Sequence, residues 1–224
     1  MDEQKAIISY WGVNLEGEVI NKESDTLAVI LPGIGYTVDR PLLDYSKKLA
    51  LELGYDVLQI EYGFQVARKI LNRENEFKYV KEESIEIFKN ALKNDYKKIV
   101  FISKSIGTIV HTILCNEAKG CEIKNIYLTP VNETLKVGIK DNSLVVSGTS
   151  DPLINEETIE IIRKIKGVNL MEIKNGDHSL NIKGSVLESI EVLSKIIIAE
   201  KDYLERTTCP QIYIQSSNNK SSMR

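Results

Sequence analysis

Three side chains in this chain have the types and the order to carry nucleophilic chemistry together: Ser105, Asp151 and His178. A serine hydroxyl is a weak nucleophile until a base removes its proton. A histidine near its ordinary pKa can take that proton at neutral pH and return it to a leaving group. The chain holds two histidines. His111 lies on the helix expected after Ser105, too far along it to reach back to the hydroxyl, and reads as a partly buried or surface histidine. His178 is therefore the base. Asp151 is the carboxylate expected to fix the imidazole tautomer and stabilise its cation. Two others compete for that role: Asp177 adjoins His178 and is poorly placed to reach its ring, and Glu133 follows the apolar run Ile126 to Thr129.

Each of these residues also has a plainer role, Ser105 as a helix cap and Asp151 as a turn former before Pro152. Their placement favours chemistry. Ser103-Lys104-Ser105-Ile106-Gly107 ends the run Ile99 to Ser103 and opens a helical pattern of Ile106, Ile109, Val110, Ile113 and Leu114. A sharp strand-to-helix bend holds its serine above the sheet, and it needs small residues two before and two after. Ser103 and Gly107 meet that need, with Ser103 standing where glycine is usual. Asp151 lies in Ser147-Gly148-Thr149-Ser150-Asp151-Pro152-Leu153, directly after the run Leu144 to Ser147. His178 lies in Gly176-Asp177-His178-Ser179-Leu180, after the run Val168 to Ile173. All three thus fall at the C-terminal ends of expected strands, where open α/β sheets carry their sites.

The elements that must position them follow from hydrophobic patterning. Thr26 to Leu31, Val57 to Ile60 and the four runs above are short, apolar and rich in Val and Ile, as strands buried on both faces are. Helical spacing of apolar residues lies between them, in Leu42, Tyr45, Leu49 and Leu53, in Ile159, Ile162 and Ile165, and in Val186, Ile190, Leu193 and Ile197. Asp39 is expected to cap the helix that Pro41 opens, Asn155 to cap another, and Gly54 and Gly167 to end helices in the left-handed conformation. The alternation defines an α/β class with a mostly parallel sheet and helices on both faces. Ala6 to Trp11 and Glu16 to Ile20, joined by a turn at Gly12 to Leu15, read as an N-terminal hairpin on the sheet edge. Residues 1–206 read as a single domain, and 207–224 as a polar, flexible tail.

Composition narrows the partners. The 224 residues are 42% hydrophobic and 27% charged with a net charge of -3, so no pull toward nucleic acid or an anionic membrane is expected, and a small-molecule or neutral substrate is. No apolar run approaches the length of a membrane span, and the first residues lack the pattern of a signal peptide. The three cysteines have no metal-ligand spacing, Cys115 reading as a small core residue. A reducing, cytoplasmic setting is the simplest expectation.

From about residue 16 to 200 the chain resembles the α/β-hydrolases, in particular the small lidless dienelactone-hydrolase and carboxylesterase branch. The resemblance is carried by Pro32-Gly33-Ile34-Gly35, Lys104-Ser105-Ile106-Gly107, Gly148-Thr149-Ser150-Asp151-Pro152 and Asp177-His178-Ser179-Leu180. Pro32 stands where many members carry histidine. The resemblance implies serine-dependent hydrolysis of an ester, thioester or related acyl bond of a small molecule, with no organic cofactor and no metal. It also implies an oxyanion hole, for which the backbone N–H groups of Ile34 and Ile106 are the candidates. An acyltransferase with the same triad, or a binding protein that has kept the fold, are the alternatives. Val131 to Asn142 is too short for a cap domain. Tyr62 to Tyr79 is expected as a helical flap over the pocket or a surface helix, and Lys104 as a solvated side chain.

Overall fold

Apolar strands without polar alternation must be covered on both faces, and the computed structural model, which describes residues 7–92 and 95–206, shows how. Seven strands form one sheet: β3 (Val19–Ile20), β4 (Thr26–Leu31), β5 (Asp56–Gln59), β6 (Lys98–Lys104), β7 (Glu122–Leu128), β8 (Ser143–Gly148) and β9 (Val168–Ile173). Their spatial order is β3-β5-β4-β6-β7-β8-β9, and every pairing is parallel except that of β3 with β5. The helices are α1 (Pro41–Glu52), α2 (Gly63–Val66), α3 (Arg73–Ala91), α4 (Gly107–Cys115), α5 (Asn132–Val137), α6 (Glu156–Lys164) and α7 (Val186–Glu205).

Side chains alternate across each central strand and so build two cores. Leu27, Val29, Leu31, Ile99 and Phe101 pack with Phe88 of α3 and Val110 of α4. Ala28, Ile30, Val100 and Ile102 pack on the other face with Leu43 of α1 and Ile196 of α7. Cys115 lies buried in the first of these, as its small apolar character predicts.

The N-terminal hairpin pairs residues other than those expected. Its strands are β1 (Ile7–Ile8) and β2 (Asn14–Leu15), a separate two-stranded sheet, while Val19–Ile20 leaves the hairpin and caps the edge of the large sheet. Ala6, expected to open the hairpin, lies outside the described residues, as do Cys209 and the expected tail 207–224. The hairpin turn is held by Glu83 of α3, whose Oε1 accepts from Ser9 Oγ at 2.9 Å and Tyr10 N at 2.7 Å. Strand β7 begins earlier than its apolar run suggests, because its polar residues find partners inside the fold. Lys124 is buried there, and its Nζ donates to the carbonyls of Tyr203, Leu204 and Arg206 at the end of α7. A cation on free C-terminal carbonyls also complements the helix dipole.

Asn155 caps α6 as expected, its Oδ1 accepting from Thr158 N at 2.8 Å. Asp39 does not cap α1. Arg40 takes the cap position without a side-chain bond, Pro41 opens the helix, and Asp39 accepts instead from the Thr37 hydroxyl. Gly54 and Gly167 adopt φ of +77° and +80°, the left-handed stops expected of them.

Candidate active site

Ser105 sits between the end of β6 and the start of α4 with φ at +55°, a left-handed conformation that costs a non-glycine residue on the order of 1–3 kcal/mol. The bend is held from both sides. Ser105 N donates to Leu128 O at 3.0 Å, and Ser105 O accepts from Thr108 N at 2.9 Å. Gly107 is needed because a Cβ there would lie 2.5 Å from Pro32 O and 2.9 Å from Leu31 O. Ser103, in the other small position, is buried, and its Oγ lies 2.7 Å from His111 Nδ1.

The loops after β8 and β9 bring the remaining two residues to this point. Gly148 lets them touch, since a Cβ there would fall 2.2 Å from Gly176 O. Ser150 N donates to Gly176 O at 2.9 Å and Asn175 N to Thr149 Oγ1 at 2.8 Å. The result is one line of hydrogen bonds. His178 Nε2 lies 2.8 Å from Ser105 Oγ, and His178 Nδ1 lies 2.7 Å from Asp151 Oδ2. The Asp151 side chain is wholly shielded from solvent, and its other oxygen accepts from Leu153 N at 2.9 Å. A carboxylate accepts only, so the imidazole carries its proton on Nδ1 and leaves Nε2 free to accept the serine proton.

The two competing carboxylates are engaged elsewhere. Asp177 Oδ1 accepts from Ser179 N at 2.7 Å and Asn181 N at 2.9 Å, which shapes the loop that carries His178. Glu133 pairs with Arg73 across 3.5 Å of exposed surface.

The loop after β4 packs against the serine. A Cβ on Gly33 would lie 3.0 Å from Ser105 Cβ. Gln65 of α2 donates through Nε2 to Gly33 O at 2.7 Å and Ile34 O at 3.1 Å, fixing the direction of those peptides. Among the described residues, the N–H groups of Ile34 and Ile106 have no hydrogen-bond partner. Both residues line a pocket of about 250 Å³ at Ser105 and His178, together with Val131 and Leu153. Gln65 has no signal in sequence. It falls in the stretch Tyr62 to Tyr79, where Tyr62, Phe64 and Leu71 are buried, 68–70 and 72–75 are exposed, and Arg73 reaches the pocket at Ser105.

Two expectations are corrected here. Lys104 is not solvated. It is fully buried, and burial pulls its ammonium down to about 8, partly offset by the Asp151 and Asp177 carboxylates. His111 is neither partly buried nor at the surface. It is fully buried between the rings of Phe101 and Tyr127, at centroid distances of 5.0 and 4.1 Å, and burial pushes its imidazole down to about 3. Both side chains enter the interior because polar partners wait there.

A second groove of about 850 Å³ adjoins the pocket at Gly35, Tyr36 and Ser179, with Leu42, Leu180, Ile190 and Leu193 among its walls. Among the described residues, no helix is long and apolar enough to cross a membrane.

No protein-family model matches the chain, and no curated protein matches it in sequence. Solved structures do match in fold. Est1E from Butyrivibrio proteoclasticus, solved with ferulic acid bound, is 13% identical with a TM-score of 0.64, over 88% of this chain and 96% of that one. The esterase Pf2001 from Pyrococcus furiosus is 16% identical with a TM-score of 0.64, over 90% of this chain and 91% of that one. An alpha-beta serine hydrolase homologue from Coxiella burnetii is 16% identical with a TM-score of 0.62, over 91% of this chain and 98% of that one. Seven strands in this order, a strained serine between β6 and α4, and these neighbours agree on one architecture: the chain has the α/β-hydrolase fold.

Proposed function

We propose that the protein is a serine hydrolase that cleaves a carboxyl ester or thioester of a small molecule. The observation that carries this reading is the unbroken line from Ser105 Oγ through His178 to Asp151, with bonds of 2.8 and 2.7 Å. Ser105 Oγ attacks the acyl carbon as its proton passes to His178 Nε2. Asp151 stabilises the imidazolium through its bond to Nδ1. The N–H groups of Ile34 and Ile106 bind the oxyanion of the tetrahedral intermediate. Collapse breaks the bond to the leaving group, which departs with the proton from Nε2. A water then attacks the acyl-enzyme, giving its proton to the same nitrogen, and the acid is released as Ser105 is restored.

Hydrolysis is favoured over acyl transfer because only the six-residue α5 lies between β7 and β8, so no cap inserted there excludes water from the acyl-enzyme. Est1E holds ferulic acid, a carboxylic acid, which supports a small carboxyl ester as the substrate class. The leaving group must lie on the His178 side, since that residue returns the proton. The larger groove opens beside His178 at Ser179 and supplies apolar walls for it.

The test is covalent labelling of the protein by a fluorophosphonate, beside Ser105→Ala. Labelling is expected in the wild type and absent in the variant, with kcat reduced by at least about 10³-fold. A folded wild type that takes no label sinks the proposal in favour of a binding protein.

A further inference from the structure

The molecule buries an ammonium beside its nucleophile. Lys104, the last residue of β6, is shielded from solvent along with its whole side chain. An unpaired cation there would be strongly destabilising, so its partners indicate its task. Its Nζ donates to Thr129 Oγ1 at 2.5 Å and to the backbone oxygen of His178 at 2.5 Å. The Tyr36 ring covers the ammonium with its centroid 5.1 Å away. The carboxylates of Asp151 and Asp177 supply the negative potential around it.

Topology makes these contacts unusual. In the sheet, β6 and β9 are separated by β7 and β8. The residues just past β7, β8 and β9 nonetheless gather at the Lys104 ammonium, which bonds Thr129 and the His178 carbonyl and feels the Asp151 carboxylate. Thr129 adopts φ of +44°, a conformation rare for a β-branched residue, and still donates its N–H to Val146 O at 2.7 Å. The contact with His178 is to that residue's own carbonyl, so any displacement passes to the imidazole with little chain between.

We propose that Lys104 is a positioning residue, whose ammonium holds His178 at the distance from which its ring reaches Ser105 and whose charge opposes the imidazolium formed in turnover. This role rests on the hydrolase reading. A misplacement of about 1 Å at a reacting group can cost on the order of 100-fold in rate, so the tie has consequences for kcat. The charged and titratable groups around the ammonium are Asp151, Asp177 and Tyr36, with His178 held through its carbonyl, and with the cation gone a positive charge on the nearby ring is less opposed.

The experiment compares wild type, Lys104→Met and Thr129→Val in fluorophosphonate labelling rate, in kcat and KM for an activated ester, and in the pH profile of kcat/KM. Lys104→Met is expected to lower kcat and the labelling rate by about 10-fold or more, with KM within about threefold. Its acid limb moves to higher pH. Thr129→Val loses one tie but keeps the charge, so kcat falls severalfold while the limb stays in place. A Lys104→Met protein with undiminished kcat and labelling, or with an unmoved acid limb, overturns the role. If that variant does not fold, Thr129→Val decides, and a kcat within about twofold of wild type overturns it. A wild type that takes no label overturns the hydrolase reading and this role with it, whereas a labelled wild type beside an equally labelled Lys104→Met overturns the role alone.

Discussion

The two histidines of this chain show how environment divides one residue type between two tasks. His111 is enclosed by rings and held neutral, with Nε2 3.0 Å from Asn125 Oδ1 and Nδ1 2.7 Å from Ser103 Oγ. An amide oxygen only accepts, so Nε2 carries the proton and Ser103 donates to Nδ1. His178 stands in the pocket with a buried carboxylate on one nitrogen and a serine on the other. Asp151→Asn would favour the wrong tautomer while keeping the shape. We expect kcat to fall by roughly 10³- to 10⁴-fold, with Glu133→Gln within about threefold of wild type. Steady-state kinetics on both variants decide between them, and the reverse ranking would move the acid to Glu133.

At the scale of elements, the contact between α1 and α7 carries a buried carboxyl. Glu200 is fully buried, and burial pushes its pKa up from 4.5 to about 8. Ser46 Oγ lies 2.9 Å from Leu42 O and 3.0 Å from Glu200 Oε1, and one hydroxyl proton cannot serve both acceptors. A protonated Glu200 that donates to Ser46 Oγ, while Ser46 donates to Leu42 O, lets both contacts form, and Glu200 Oε2 is left buried without a partner. The folded state then binds more protons than the unfolded state between pH 4.5 and about 8. Its contribution to stability is complete below the lower value and is lost as pH rises through the upper one. Denaturant unfolding of Glu200→Gln should show a flatter dependence of stability on pH across that window than wild type does. An unchanged slope would mean that Glu200 ionises in the folded protein.

At the scale of the whole molecule, the described residues leave the sheet's C-terminal edge open, and pocket and groove meet there at Gly35, Tyr36 and Ser179. The groove wall includes Ile190, which is 57% exposed and makes α7 apolar toward solvent. If the leaving group occupies this groove, kcat/KM for acetate esters should rise about two- to fourfold per methylene added to the alcohol. Lengthening the acyl chain in the smaller pocket should soon cease to help. Ile190→Glu should abolish the gain from longer alcohols while leaving methyl acetate turnover within about twofold, since the shortest alcohol does not reach that wall. A gain that follows acyl length instead would place the acyl chain in the groove.

Much of this was legible in the chain itself. Strands buried on both faces announce themselves as short Val- and Ile-rich runs, and a small residue on each side of Ser105 marks a bend that backbone sterics require. The order of Ser105, Asp151 and His178, each just past the end of a strand (β6, β8 and β9), is likewise a property of the chain. Burial of Lys104 and His111 was not legible, because local pattern treats a polar residue as solvent-facing unless its partners are known. Those partners (Thr129 and the His178 carbonyl for one, Asn125 and Ser103 for the other) come from different strands and loops. Gln65 is the same case, a polar side chain whose acceptors lie in the loop after β4. The sequence by itself determined which elements form and which residues stand at strand ends, since both follow from local periodicity and backbone sterics. Tertiary structure alone decided which polar groups meet in the interior, since long-range pairing sets their environment and hence their charge.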